Sequence, residues 1–123
     1  MTISVGMITF DAADATALAQ WWAARLGTEA SDQSGGEGWF LTVEAPGGTT
    51  LGFQRVPDPT PGKNRLHLDI TVPDREAAAA EMIAAGATLV ATRDLKEMGA
   101  DFTWTVLADP EGNQFCLAAE EGA

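Results

Sequence analysis

The chain has 123 residues, 46% of them hydrophobic and 20% charged, the balance of a soluble globular protein rather than a disordered segment. Its 18 acidic against 7 basic residues give a formal net charge of −11, which argues against nucleic acid or an anionic membrane as partner, because phosphate contact needs a basic surface, and favours a cationic ligand over an anionic one. The single cysteine, Cys116, excludes an internal disulfide framework and a multi-cysteine zinc site. No apolar run approaches the ~18 residues of a membrane span, and no basic-then-apolar leader opens the sequence, so a cytoplasmic location is expected.

Residues 3–10 are β-branched and apolar and read as a strand. Asp14 is placed to cap a helix over residues 15–26, in which Ala15, Leu18, Ala19, Trp22 and Leu26 share one face and Gly27 supplies the stop. Residues 28–38 are polar and glycine-rich and are predicted to be mostly loop. Strands are predicted over 39–45 and 49–56, joined by a turn at Pro46-Gly47-Gly48. Pro57, Pro59 and Pro61 can continue neither sheet nor helix, and mark a linker. Beyond it, residues 65–72 read as a strand, and Pro73-Asp74 opens a helix to about residue 85, with Gly86 as its stop. The run Ala77-Ala78-Ala79-Ala80 combines high helix propensity with little bulk. A short strand over 87–91, a loop over 94–101 and strands over 102–108 and 114–118 follow, the last two joined by the turn Asp109-Pro110-Glu111-Gly112-Asn113.

The two halves repeat one order. Aligning Asp14 with Asp74, and Pro46 with Pro110, lays residues 43–48 over 107–112 and 51–53 over 115–117. The expected fold is α+β: one βαβββ module over 1–56, a linker over 57–64, a second module over 65–119, and a tail over 120–123. A four-stranded sheet with one helix leaves its second face uncovered, and two such modules together would enclose a cup-shaped cavity between curved sheets.

Three segments carry a family resemblance. Residues 14–27, with Leu18, Trp22 and Leu26-Gly27, resemble the first helix of the vicinal-oxygen-chelate superfamily, which includes glyoxalase, bleomycin-resistance and extradiol-dioxygenase proteins. His67-Leu68-Asp69-Ile70-Thr71-Val72 resembles the strand that carries a metal-binding histidine there, and Asp109-Pro110-Glu111-Gly112-Asn113 resembles its terminal hairpin. The resemblance implies the cup fold, a homodimer, and a divalent metal held by His and Glu from equivalent strands, polarising two neighbouring oxygens of a substrate. Carried over one at a time, the ligand positions fall on Met7, Gly52, His67 and Cys116, or on Gln54 in place of Gly52 if the register shifts by two. Hard divalent ions want carboxylate and imidazole, so no metal is expected. The alternative is a divalent metal such as zinc on His67 with Cys116, helped by Asp69, which lies two residues from His67 on the same strand face.

Each candidate also has a plain structural role. His67, the one histidine, serves either as acid or base with Asp69 orienting it, or as a hydrogen-bonded residue of an apolar strand. Cys116 is a reactive thiol or a small buried hydrophobe. Trp39 and Trp104 stand at the starts of matching hairpins, where they would stack a flat ligand or pack between sheets. The basic cluster Lys63-Asn64-Arg65 would receive a ligand carboxylate or simply carry an ordinary loop-to-strand charge. The expected function is a glyoxalase-like small-molecule-binding protein lacking the usual metal ligands. It would hold an organic, cationic or aromatic ligand with Met7, Trp39, Gly52, Gln54, Arg65, Trp104 and Cys116, and His67 and Asp69 would carry any metal-independent catalysis. The alternative is a metal-dependent lyase or isomerase of glyoxalase type.

Overall fold

In the computed structural model, residues 5–64, 66–94, 96 and 101–119 are described. The chain divides into two compact units, Met1–Thr60 and Pro61–Ala123, the division falling among the linker prolines. The first contains β1 (Ile8–Ala12), α1 (Ala15–Leu26), β2 (Ala30–Asp32), β3 (Phe40–Glu44) and β4 (Thr50–Arg55). The second contains β5 (Asp69–Val72), α2 (Arg75–Ala84), β6 (Thr88–Asp94), β7 (Thr103–Ala108) and β8 (Gln114–Ala119). The sheet orders are β1-β4-β3-β2 and β5-β8-β7-β6, so the two units share one topology. In each, the first strand pairs in parallel with the last, and the others pair antiparallel. Each unit is a βαβββ module.

The helices start where aspartate can satisfy their free N–H groups. Asp14 accepts from the Ala17 amide at 3.0 Å, and Asp74 accepts from the Ala77 amide at 3.1 Å. The α1 face of Ala15, Leu18, Ala19, Trp22 and Ala23 is buried on the side of the first sheet that carries Leu41, Val43, Leu51 and Phe53. Phe10 joins this core, 5.9 Å from the Trp22 ring and 5.0 Å from Phe53 between ring centroids. The alanine-rich α2 buries less, chiefly Ala79 and Met82, and the core of its module rests on Leu107, Phe115 and Leu117.

The repeat holds in atomic detail at the hairpins. The Ala45 amide donates to Thr49 O at 2.8 Å and Gly48 to Ala45 O at 3.2 Å, while Asp109 donates to Asn113 O and Gly112 to Asp109 O, both at 2.9 Å. Gly48 and Gly112 close these turns at φ +94° and +89°, values that side chains with a Cβ rarely adopt.

Four strands depart clearly from expectation. β2 forms inside the expected loop because it is a polar edge strand with no apolar alternation to betray it. The loop after it is folded by Asp32, whose carboxylate accepts from the Ser34 amide at 2.7 Å, the Ser34 hydroxyl at 2.6 Å and the Gly38 amide at 3.0 Å. β1 and β5 begin later than expected, at Ile8 and Asp69, so His67 lies in an extended lead-in rather than within the strand. β6 is longer than expected, seven residues with an irregularity between Leu89 and Ala91. Arg65, most of the expected loop over 94–101, the tail over 120–123 and the start of the first expected strand lie outside the described residues.

Candidate functional site

Side chains alternate across a strand, and the helix fixes which face is core. On β8, Phe115 and Leu117 are buried, which sends Gln114, Cys116 and Ala118 to the opposite face. On β7, Thr105 and Leu107 are buried, and the Arg75 guanidinium at the start of α2 donates to the Thr105 hydroxyl, so Trp104 and Val106 share the face of Cys116. In the ladder, Cys116 stands between Asp69 on β5 and Val106 on β7. His67, two residues before Asp69, returns to the same face, and its Nε2 lies 3.4 Å from Asp69 Oδ1. Asn64 holds the lead-in in place: its Oδ1 accepts from the Gln114 amide at 2.8 Å, and its Nδ2 donates to the Gln114 carbonyl at 3.2 Å and to the Leu66 carbonyl. The Cys116 amide donates to Leu68 O at 2.9 Å.

Above this face is an open pocket of about 510 Å³ lined by His67, Asp69 and Cys116, by Phe102 and Trp104, and by Lys63 and Arg93. The Phe102 and Trp104 rings form one wall, centroids 5.7 Å apart and planes inclined by 32°. The charged lining is two basic groups and one acidic, in contrast to the acidity of the whole chain. The His67 and Asp69 side chains are 48% and 78% exposed. Burial first, and then the Asp69 charge, push the Cys116 thiol above its ordinary value, with Lys63 and Arg93 acting the other way; without another partner the thiol stays protonated at neutral pH.

Module one shows what the same positions become with other residues. Thr9 and Thr42 flank Gly52 in the ladder as Asp69 and Val106 flank Cys116, so Met7, Thr9 and Gly52 correspond to His67, Asp69 and Cys116. Met7 lies over the glycine: a Cβ built on Gly52 would be 2.8 Å from Met7 Sδ, 2.9 Å from Thr9 Oγ1 and 3.3 Å from Phe40 Cε1. Gln54 shares the Gly52 face by alternation, is exposed, and pairs across to Phe40. The counterpart of Trp104 is Phe40, not Trp39: Phe40 pairs with Gln54 just as Trp104 pairs with Ala118. Trp39 lies outside β3, 43% exposed, and stacks on Phe40 at 6.3 Å.

The second module thus gathers four of the expected site residues, His67, Asp69, Trp104 and Cys116, around one pocket, and the first gathers Met7 with Gly52. Sequence reasoning missed Phe102 and Arg93, and took Asn64 as part of a basic cluster rather than as the anchor of the lead-in. Phe102 was visible as the residue two before Trp104. Arg93 stands opposite Trp104 in the ladder and becomes visible only once β6 is extended to Asp94.

A repeated βαβββ unit defines a class of fold shared by several solved proteins. A glyoxalase/bleomycin resistance protein/dioxygenase family enzyme from Burkholderia phytofirmans is 23% identical with a TM-score of 0.73, over 93% of this chain and 96% of that one. A member of the same superfamily from Sphaerobacter thermophilus is 22% identical with a TM-score of 0.70, over 97% and 98%. A protein from Agrobacterium tumefaciens solved by NMR is 17% identical with a TM-score of 0.75, over 98% and 100%. The model of the Glyoxalase-like domain matches residues 7–118, and the chain belongs to that family, within the vicinal-oxygen-chelate superfamily. Its fold class is the expected one, α+β with two βαβββ modules. Comparison with curated proteins gives no match, and among the described residues no helix is long and apolar enough to cross a membrane.

The superfamily implies a divalent metal, and the donors present decide which kind fits. Met7 offers a thioether and Gly52 nothing, so a hard ion seeking several oxygens is not served. His67, Asp69 and Cys116 offer one nitrogen, one oxygen and one sulfur, all within 4.8 Å of one another. That donor set suits a borderline ion of the zinc kind.

Proposed function

We propose that this protein binds a small organic ligand with a flat ring and an acidic substituent in the pocket of its second module, with His67 and Asp69 placed for proton transfer. The reading rests on one observation: an aromatic wall, Phe102 and Trp104, shares a pocket with the His67–Asp69–Cys116 cluster. The volume of about 510 Å³ falls among those of small-molecule sites. Ring stacking on such a wall contributes about 0.5–1.5 kcal/mol beyond area burial. The chain's overall charge favours a cationic ligand, but charge interactions are screened beyond ~8–10 Å in physiological salt. The charges lining the pocket therefore count for more, and Lys63 and Arg93 outnumber Asp69 there. Asp69 Oδ1 stands 3.4 Å from His67 Nε2, where it can orient the ring, the arrangement a general acid–base pair needs. A cytoplasmic homodimer completes the proposal.

Calorimetric titration in the presence of chelator, with aromatic carboxylates and aromatic ammonium ions of matched size, tests it. Carboxylates should bind more tightly, Trp104→Ala should weaken them about two- to thirteenfold, as expected for ~0.5–1.5 kcal/mol of stacking, and Lys63→Gln with Arg93→Gln should erase the preference. No heat from either series, or a preference for the ammonium ions, refutes the proposal.

The alternative of a metal-dependent lyase or isomerase is favoured by the same His67–Asp69–Cys116 donors, and is distinguished by whether turnover survives chelation.

A further inference from the structure

The stretch that carries His67 is held in place without being buried. Leu66 is 79% exposed and the His67 side chain 48%, so hydrogen bonds rather than packing fix it. In a parallel ladder a residue donates its N–H to the carbonyl one place before its partner and accepts from the N–H one place after it. Cys116, partnered by Asp69, obeys this by donating to Leu68 O at 2.9 Å. Two residues earlier the same register would set Gln114 opposite His67, with its amide on Leu66 O. That amide instead donates to Asn64 Oδ1 at 2.8 Å, the Gln114 carbonyl accepts from Asn64 Nδ2 at 3.2 Å, and the same Nδ2 donates to Leu66 O. We propose that Asn64 is a positioning residue for His67: its carboxamide stands in for one backbone rung between the lead-in and β8, and so sets the imidazole against Asp69 with its proton on Nε2.

The chemistry of the rung calls for asparagine. A carboxamide carries the donor and the acceptor of a peptide unit in one plane, so it serves both backbone groups of Gln114 at once. Aspartate has the same shape but no donor, and would turn an oxygen toward the carbonyls of Gln114 and Leu66. With the carboxamide in the rung, β5 starts at Asp69 and His67 stands outside the ladder, between the Asn64 bonds behind it and the Leu68 bond ahead of it. A neutral imidazole has one donor and one acceptor nitrogen, and the partner of one fixes the role of the other. Nε2 lies 3.4 Å from Asp69 Oδ1, so it keeps the proton, and Nδ1 is the nitrogen left to accept one. This rests on the proton-transfer part of the proposed function, and deepens it by naming the atom that acts as base and the residue that places it.

His67 is the only histidine, so isotope labelling of histidine nitrogen in the full chain gives the signals of one ring. Long-range proton–nitrogen NMR spectra, recorded in alkaline buffer with chelator, read its tautomer directly. The expected result is a parent ring held mostly in the Nε2–H form and a mixture of tautomers in Asp69→Asn. Asn64→Ala and Asn64→Asp should both move the ring toward that mixture, and Asn64→Ala should quicken exchange of the Gln114 amide about tenfold, the size of one lost hydrogen bond. Far-ultraviolet circular dichroism checks the fold. Asn64 is half-buried and Asn64→Asp preserves its shape, so the comparison stands even if the alanine variant is unstable. Faster exchange at Gln114 with the parent tautomer retained would make Asn64 a structural residue only, and overturns the inference. So does a parent-like tautomer in Asn64→Asp, which would mean that shape suffices and the donor is idle. No organic ligand enters this experiment, so it fails or succeeds independently of the calorimetric test of the pocket.

Discussion

Replacing Gly52 with alanine tests the claim that module one has closed, with its own side chains, the position that module two keeps open. The added Cβ would meet Met7 Sδ at 2.8 Å, Thr9 Oγ1 at 2.9 Å and Phe40 Cε1 at 3.3 Å. The methionine end is flexible, but threonine is branched at Cβ and turns only between a few rotamers, so something must shift. Overpacking of this kind costs about 1–3 kcal/mol. Alanine recovers about 0.5–1 kcal/mol of the backbone entropy penalty that glycine carries in a strand. The net is a destabilisation of about 1 kcal/mol, or a fall in melting temperature of roughly 4 °C for a chain of this size. Thermal denaturation of Gly52→Ala, Met7→Ala and the double variant measures it. Met7 is 41% exposed, so its own truncation should cost little. In its absence the Gly52→Ala penalty should shrink by about 0.5–1.5 kcal/mol, the range of coupling between touching residues. An alanine variant as stable as the parent, or penalties that simply add, would refute the packing of Met7 over Gly52.

Three further outcomes follow from the structure. Asp109 is buried and its carboxylate accepts from the Glu111 and Asn113 amides and from Asn113 Nδ2; Asp109→Ala should therefore cost about 2–3 kcal/mol in urea denaturation, the range for losing charge-assisted bonds in a buried turn. The Ser34 hydroxyl, and next the Ser34 amide, hold the Asp32 carboxyl below its ordinary value. Its contribution to stability is present above the ordinary aspartate value and lost as pH falls through the lowered one, so the stability–pH curves of the parent and Asp32→Asn should converge in acid. Burial first, and Asp69 second, raise Cys116: in metal-free protein, alkylation by iodoacetamide should be slow at neutral pH and climb in alkali, and Asp69→Asn should quicken it only partly. A thiol as reactive as free cysteine at neutral pH would contradict this. The linked stability is present below the unfolded thiol's value and lost as pH rises through the raised one.

Punctuation made much of this fold legible. Asp14 and Gly27 bracket α1, and the observed helix begins and ends where they place it. The turn residues of the two hairpins align them atom for atom. From that alignment the correspondence of Gly52 with Cys116 follows, and from the pairing of Asp14 with Asp74 that of Met7 with His67; the ladder reproduces both. What was not legible depends on register or on polar edges. β2 pairs on one side only and shows no apolar period. The start of β5 is set by its parallel partner β8, which lies far away in sequence. Choosing Trp39 as the mate of Trp104 was an error of one residue, and in a strand one residue is the difference between faces.

That one-residue sensitivity also explains why the candidate site sits where it does. In both modules the helix claims alternate residues of each strand, which leaves a second set on the other face regardless of their chemistry. In module one that set is Met7, Thr9, Phe40, Thr42 and Gly52, and the large side chains fill the space beside the glycine. In module two the same positions are His67, Asp69, Trp104, Val106 and Cys116, where a pocket of about 510 Å³ remains. The backbone frame is common to both, so the difference in chemistry lies in side chains and not in topology. Exchanging Met7 for histidine and Gly52 for cysteine should therefore not by itself transplant the site, because Phe40 and Thr9 would still crowd the new Cβ. Rebuilding the cluster in module one requires Thr9→Asp as well, together with a smaller side chain at Phe40 to make room beside the new thiol.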